Sequence, residues 1–137
     1  MDIRTVDQGF AVAPQFQPAE MQTLADAGYV AVICNRPDGE EEGQPTIADM
    51  RAAAQDAGLA FHHIPVWGGQ FPEAAVAAFG AVRRGTDGPL LAYCRTGTRS
   101  ITLDTLANTA GLDADGLIER AASAGYDLSQ FRDRLGK

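Results

Sequence analysis

The side chains best suited to chemistry lie together in one stretch, Cys94-Arg95-Thr96-Gly97-Thr98-Arg99-Ser100. An apolar run at 90–93 ends at the cysteine, and a helical pattern opens at the arginine and serine. A loop between a strand and a helix brings free backbone N–H groups and the positive end of the helix dipole to one point. Successive amides there form a nest for an anion. Gly97 permits backbone angles that other residues resist. Arg99 adds a planar fork of donors for a tetrahedral oxyanion. Arg95 points either to solvent or to the incoming anion, the second being the expectation, Thr96 and Thr98 complete the loop, and Ser100 can hydrogen-bond the sulfur. Each feature favours a thiolate over a thiol, so Cys94 is expected to titrate below the ordinary thiol range and to act as a nucleophile.

The elements that must position this loop read as an α/β fold. Residues 3–6 and 10–12 form two short strands around Asp7-Gln8-Gly9, a hairpin signal. Pro18 opens a helix to residue 27 with Met21 and Leu24 on one face. The continuous apolar runs at 29–34, 59–66 and 90–93 predict strands buried on both faces. Thr46 caps a second helix, with Asp49 three residues on and Ile47, Met50, Ala54 and Ala57 on its apolar face. A third helix runs over 72–84, and only helical segments follow the loop, at 101–110, 113–124 and 128–135. Ala-Gly recurs at 27–28, 57–58 and 124–125, each pair past a helical stretch, where glycine suits the left-handed cap position. Strands alternating with helices predict a mainly parallel central sheet with an N-terminal hairpin and helices on both faces. Ligands of such sheets bind beyond the carboxyl ends of the strands, where both Cys94 and the loop after Cys34 fall.

Composition narrows the function classes. The 137 residues fit a single domain spanning 1–137, long enough to bury a core without staples. The net charge of −7 disfavours nucleic acid and anionic membranes as partners. No apolar run reaches the roughly 20 residues of a membrane span. The first residues lack the basic and apolar regions of a secretory signal, so a cytoplasmic location with reduced thiols is expected.

Other candidates are weighed against plainer roles. Cys34 ends a buried strand and reads chiefly as a small hydrophobe, with a resolving thiol near Cys94 as the alternative. His62 and His63 face opposite sides of a strand, and His63 can edge the pocket. Neither has metal-ligand spacing to a partner, so no metal or cofactor is expected. Arg36 and Asp38 follow a strand at the ligand end of the sheet and are possible pocket residues; the acidic run with Glu40 and Glu41 can equally be a solvated loop. Trp67, in a glycine-rich loop, is either a core lid or a substrate wall.

The loop also resembles known families. A cysteine at a strand end, a glycine three residues on, then arginine and serine opening a helix resemble the loops of cysteine-dependent phosphatases and rhodanese sulfurtransferases. Four residues, Arg95 to Thr98, separate Cys94 from Arg99, one fewer than in phosphatases and the usual number in rhodaneses. The absence of a strand after the loop resembles dual-specificity and tyrosine phosphatases. The segments NRPDGEE, HHIPV, YCRTGTRS and AGYDL resemble the phosphatase-like domain fused to β-lactamase-fold hydrolases of the persulfide dioxygenase type. That resemblance implies a dual-specificity-phosphatase-like fold and leaves the reaction open between phosphate hydrolysis and sulfur transfer.

Two departures from the phosphatase pattern favour sulfur transfer. Tyr93 stands where those loops have histidine, and the loop after the strand at 59–66 has no carboxylate before Glu73. Without a general acid a phosphatase loses about 10² to 10⁴ in rate, unless Asp38 substitutes. The expectation is therefore a sulfurtransferase forming a Cys94 persulfide from thiosulfate or a small persulfide, with a persulfide dioxygenase as a possible partner. The alternatives are a phosphatase working through a Cys94 phosphoenzyme, and a non-catalytic anion-binding or redox-sensing thiol module.

Overall fold

A computed structural model describes residues 1–135. Its strands are β1 (Arg4–Asp7), β2 (Phe10–Ala13), β3 (Ala31–Cys34), β4 (Ala60–His63) and β5 (Leu90–Tyr93). They form one sheet in the order β1-β2-β5-β3-β4. β1 runs antiparallel to β2, closing the expected hairpin around a bond from the Gly9 N–H to the Asp7 carboxylate. The other pairings are parallel. β5, which leads into Cys94, sits at the centre.

Alternation along the strands divides the core. Phe10, Val12, Ile33, Leu90 and Ala92 face α3 (Glu73–Gly85), α4 (Thr98–Ala107) and α5 (Ala114–Ser123), packing on Phe79, Ile101, Leu103 and Ala121. Ala13, Val32, Cys34, Leu91 and Tyr93 face α1 (Met21–Asp26) and α2 (Ile47–Asp56), packing on Met21, Leu24, Met50 and Ala54. Helices thus cover both faces of a mostly parallel five-stranded sheet, the arrangement expected from the sequence.

Local signals account for the helix boundaries. The Thr46 hydroxyl accepts the Asp49 N–H and starts α2. The Asp113 carboxylate accepts the Gly116 N–H and starts α5. The residue past each Ala-Gly pair's alanine is left-handed, with φ of 99°, 83° and 98° at Gly28, Gly58 and Gly125.

Five elements differ from the sequence reading. The run at 59–66 pairs only over Ala60–His63 and is half-exposed, because β4 is an edge strand bonded to β3 alone. β3 starts at Ala31 rather than Tyr29. The first helix opens as a 3-10 turn over Pro18–Glu20 before α1. α4 starts at Thr98 and stops at a left-handed Asn108 (φ 46°), so Arg99 and Ser100 belong to its first turn. The last helical piece is a 3-10 turn over Ser129–Arg134. Among the described residues no helix is long and apolar enough to cross a membrane, and no group of three or more His, Cys, Asp and Glu side chains is arranged to hold a metal ion.

Candidate active site

Parallel β3 and β5 run side by side and end together, Cys34 opposite Tyr93. Their carboxyl ends therefore place two loops against each other, one from Asn35 onward and one from Cys94 onward. The backbone ties them directly: the Asn35 N–H donates to the Tyr93 carbonyl (2.8 Å), and the Gln15 N–H at the end of β2 donates to the Arg95 carbonyl (3.2 Å). Between them lies a cleft of about 460 Å³ lined by Arg36, Glu40, Glu41, Gly68, Arg95, Thr96, Thr98 and Arg99.

Cys94 is fully buried at the base of the loop, and its Sγ accepts the Gly97 N–H at 3.1 Å. Gly97 is the N-cap of α4 with φ 91° and ψ −15°, a left-handed conformation that side-chain-bearing residues resist. That twist turns the Gly97 amide onto the sulfur and starts the helix, whose positive end faces the same point.

Arg99, one residue into α4, is fixed from behind. Its Nη1 donates to Glu40 Oε2 (2.8 Å) and to the Val66 carbonyl (2.9 Å), and its Nη2 donates to Glu40 Oε1 (2.7 Å). A guanidinium has five N–H donors. Among the described residues, these bonds leave the Nε–H and one Nη2–H uncommitted, the edge that grips an oxyanion with two parallel bonds. The Arg99 guanidinium, and Arg36 beside it, hold the Glu40 carboxyl down at about 2, so Glu40 is a permanent anion.

Arg36 has a structural share in this arrangement. It is fully buried and its Nε donates to Glu40 Oε1 (2.8 Å), its Nη1 to Gln15 Oε1 (3.0 Å), and its Nη2 lies 2.9 Å from Glu41 Oε1. Its carbonyl is bonded by His63 Nε2 at 2.8 Å and faces the Cys34 thiol. Arg36 thereby staples the acidic loop over the cleft, and the run containing Glu40 and Glu41 is a built wall rather than a solvated tail. Glu40, Glu41 and Gln15 were not singled out as site residues from sequence. The available signal was their proximity in the chain to strand ends that the parallel sheet brings together.

Several candidates lie elsewhere than expected. Asp38 is exposed and its carboxylate accepts the Ile47 N–H at 3.2 Å, serving the start of α2; it does not line the cleft. Its side chain is drawn away because the first turn of a helix leaves N–H groups needing acceptors. His63 supports the Arg36 carbonyl and does not line the cleft either. Ser100 is fully buried in the first turn of α4, and its Oγ has no hydrogen-bond partner among the described residues, so the sulfur is served by Gly97 instead. Trp67 is 61% exposed and thus no core lid, while the neighbouring Gly68 lines the cleft. Arg95 is exposed at the rim, 3.6 Å from Glu41. Cys34 is buried among apolar side chains, and burial pushes its thiol up. Tyr93 is buried on the α1 side against Phe16, their rings 4.8 Å apart, and does not face the cleft.

Comparison with known proteins places this site in a family. Residues 2–111 match the family model described as "Beta-lactamase hydrolase-like protein, phosphatase-like domain". The Beta-lactamase hydrolase-like protein of Agrobacterium fabrum is 36% identical over 129 residues, covering 90% of this chain; the chain spans only 29% of that relative's length. A candidate phosphatase of Neisseria meningitidis Z2491, known from its crystal structure, superposes with a TM-score of 0.85 at 38% identity, covering 98% of this chain and 96% of that one. A kinase associated phosphatase, crystallised with its catalytic-site cysteine replaced by serine, shares the fold at a TM-score of 0.70 and 15% identity, over 92% of this chain and 86% of that one. The expected link to rhodanese sulfurtransferases finds no counterpart among these neighbours. The chain belongs to the phosphatase-like domain family of the β-lactamase hydrolase-like proteins.

Proposed function

We propose that this domain is a cysteine-dependent phosphatase that hydrolyses small phosphate monoesters through a Cys94 phosphoenzyme. The observation that carries the reading is the Cys94 sulfur bonded by the Gly97 N–H at the start of α4, close to an Arg99 guanidinium that keeps two donors uncommitted. A phosphate dianion entering the cleft is held by the loop amides and the Arg99 edge, donors already aimed where charge develops. The Cys94 thiolate attacks phosphorus, the S–P bond forms and the ester P–O bond breaks. The departing oxygen takes its proton from water, since Asp38 is bonded to Ile47 and Glu40 is held ionised. A water molecule then attacks the phosphocysteine, releasing inorganic phosphate and a proton and restoring the thiolate. The test is release of p-nitrophenol from p-nitrophenyl phosphate by the wild type, Cys94→Ser and Arg99→Lys. Turnover should vanish in Cys94→Ser and fall by about 10²-fold or more in Arg99→Lys, which loses the bidentate grip. Turnover surviving in Cys94→Ser would overturn the proposal.

Sulfur transfer is the second reading, favoured by the bond of Asp38 to Ile47 and by the ionised state of Glu40, which withhold both as proton donors. The thiolate would attack the outer sulfur of thiosulfate or a low-molecular-weight persulfide; the new S–S bond forms as the donor S–S bond breaks, and sulfite or a thiolate leaves without needing a proton. A persulfide dioxygenase would then be the partner that handles the transferred sulfur. Accumulation of a Cys94 persulfide from thiosulfate, with no hydrolysis of aryl phosphates, would select this reading.

A further inference from the structure

The peptide unit between Thr96 and Gly97 is held at both ends. Its N–H donates to Cys94 Sγ at 3.1 Å. Its carbonyl accepts the Tyr126 hydroxyl at 3.0 Å. A trans peptide is planar and its N–H and C=O point in opposite directions, so a grip on one end fixes the other. We infer that Tyr126 is a positioning residue for the catalytic loop, holding the Thr96 carbonyl outward so that the Gly97 N–H stays on the Cys94 sulfur.

Three further observations support the assignment. The Tyr126 ring backs Gly97 so closely that a Cβ built there meets the phenol, and the tyrosine therefore braces the left-handed turn as well as bonding it. Tyr126 is itself anchored, its N–H donating to the Ala121 carbonyl at the end of α5, with the Arg4 guanidinium 6.0 Å from its ring. Burial pushes the Tyr126 hydroxyl up, so it remains a donor at neutral pH. A hydrogen bond to a peptide carbonyl also polarises the amide and strengthens its N–H as a donor. If the bond were lost, the Thr96–Gly97 peptide could rotate and turn carbonyl oxygen toward a sulfur that carries negative charge when it reacts. Tyr126 touches neither the sulfur nor the cleft and acts only through this peptide.

The experiment is alkylation of Cys94 by iodoacetamide at neutral pH, followed by peptide mapping, in the wild type and Tyr126→Phe. It involves no phosphate or sulfur donor, so its outcome is independent of the reaction proposed above. The phenylalanine keeps the ring behind Gly97 and removes only the hydroxyl. Loss of one hydrogen bond to the loop should slow alkylation about two- to tenfold, with the near-UV circular dichroism unchanged. The Gly97 amide proton, read by nuclear magnetic resonance, should move upfield as its bond to sulfur weakens. A wild-type alkylation rate, or an unmoved Gly97 amide resonance, would overturn the assignment and reduce Tyr126 to packing.

Discussion

Glu40 grips Arg99 with both carboxylate oxygens, at 2.7 and 2.8 Å, and, among the described residues, leaves the Nε–H and one Nη2–H of the guanidinium free. Arg99 stands in the first turn of α4 and Glu40 in the loop after β3, and the ion pair joins these two segments. Glu40→Gln keeps the shape but loses the ionic clamp. The variant should lower kcat/KM for an aryl phosphate by about 10²-fold, the usual consequence of a misplaced positioning group. An unchanged kcat/KM would show that Arg99 is oriented by the Val66 carbonyl alone.

The same pair has a pH signature. Glu40 is held at about 2, against 4.5 for an ordinary glutamate. A carboxyl lowered by folding contributes stability that is complete above its unfolded value and is lost as pH falls through its folded value. The stability advantage of the wild type over Glu40→Gln should therefore be constant above about pH 5 and shrink progressively towards pH 2. Urea unfolding at a series of pH values measures it; a difference independent of pH across that window would contradict the clamp.

With Asp38 committed to Ile47 and Glu40 ionised, the leaving group departs unaided. Activity should then depend steeply on how acidic the leaving alcohol is. In kcat/KM, p-nitrophenyl phosphate should exceed an alkyl phosphate by about 10²-fold or more, and Asp38→Asn should change neither value. Similar values for both esters would mean that a proton donor reaches the leaving oxygen.

Behind the sheet, Asp104 joins Arg83 (2.7 Å) and Arg120 (3.0 Å), and Asp7 joins the same two arginines at 2.9 and 3.2 Å. This ring of charges ties the hairpin turn to α3, α4 and α5, with Asp104 fully buried. Asp104→Asn leaves Arg83 and Arg120 with Asp7 as their shared carboxylate and should cost about 1–3 kcal/mol in urea unfolding. A loss below about 1 kcal/mol would mean that solvent screens the network.

Gly97→Ala meets two penalties at once: a left-handed φ of 91° and the Tyr126 phenol against the new methyl. The backbone term alone is about 1–2 kcal/mol. Cys94 alkylation and phosphatase turnover should both fall, while cooperative unfolding persists. Wild-type rates would show that the loop tolerates a different turn.

The layers of the fold are readable from sequence because each rests on local patterning. Apolar runs bounded by turn residues marked β2, β3 and β5, and Thr46 and Asp113 marked helix starts. The loop proposed for catalysis was legible as a structural unit for the same reason: Cys94, Gly97 and Arg99 are close in the chain, and the strand end, left-handed glycine and helix start that frame them are local. What sequence hid was non-local. Glu40 meets Arg99 across 59 residues through the adjacency of β3 and β5, and Tyr126 meets Thr96 across 30 through the placement of α5. β4 looked buried because periodicity reports apolarity but not which strand lies at an edge. Asp38 looked like an acid beside the cleft because strand adjacency places a loop without telling which way its side chains turn.

The most direct test of the account is intact mass after acid quench of the protein mixed with p-nitrophenyl phosphate, beside a parallel incubation with thiosulfate. The account predicts one phosphoryl group on Cys94 during turnover, absent from Cys94→Ser, with a burst of p-nitrophenol equal to the enzyme present. No phosphoryl adduct and no burst, with a reductant-labile gain of one sulfur on Cys94 from thiosulfate, would contradict it and make this domain a sulfurtransferase.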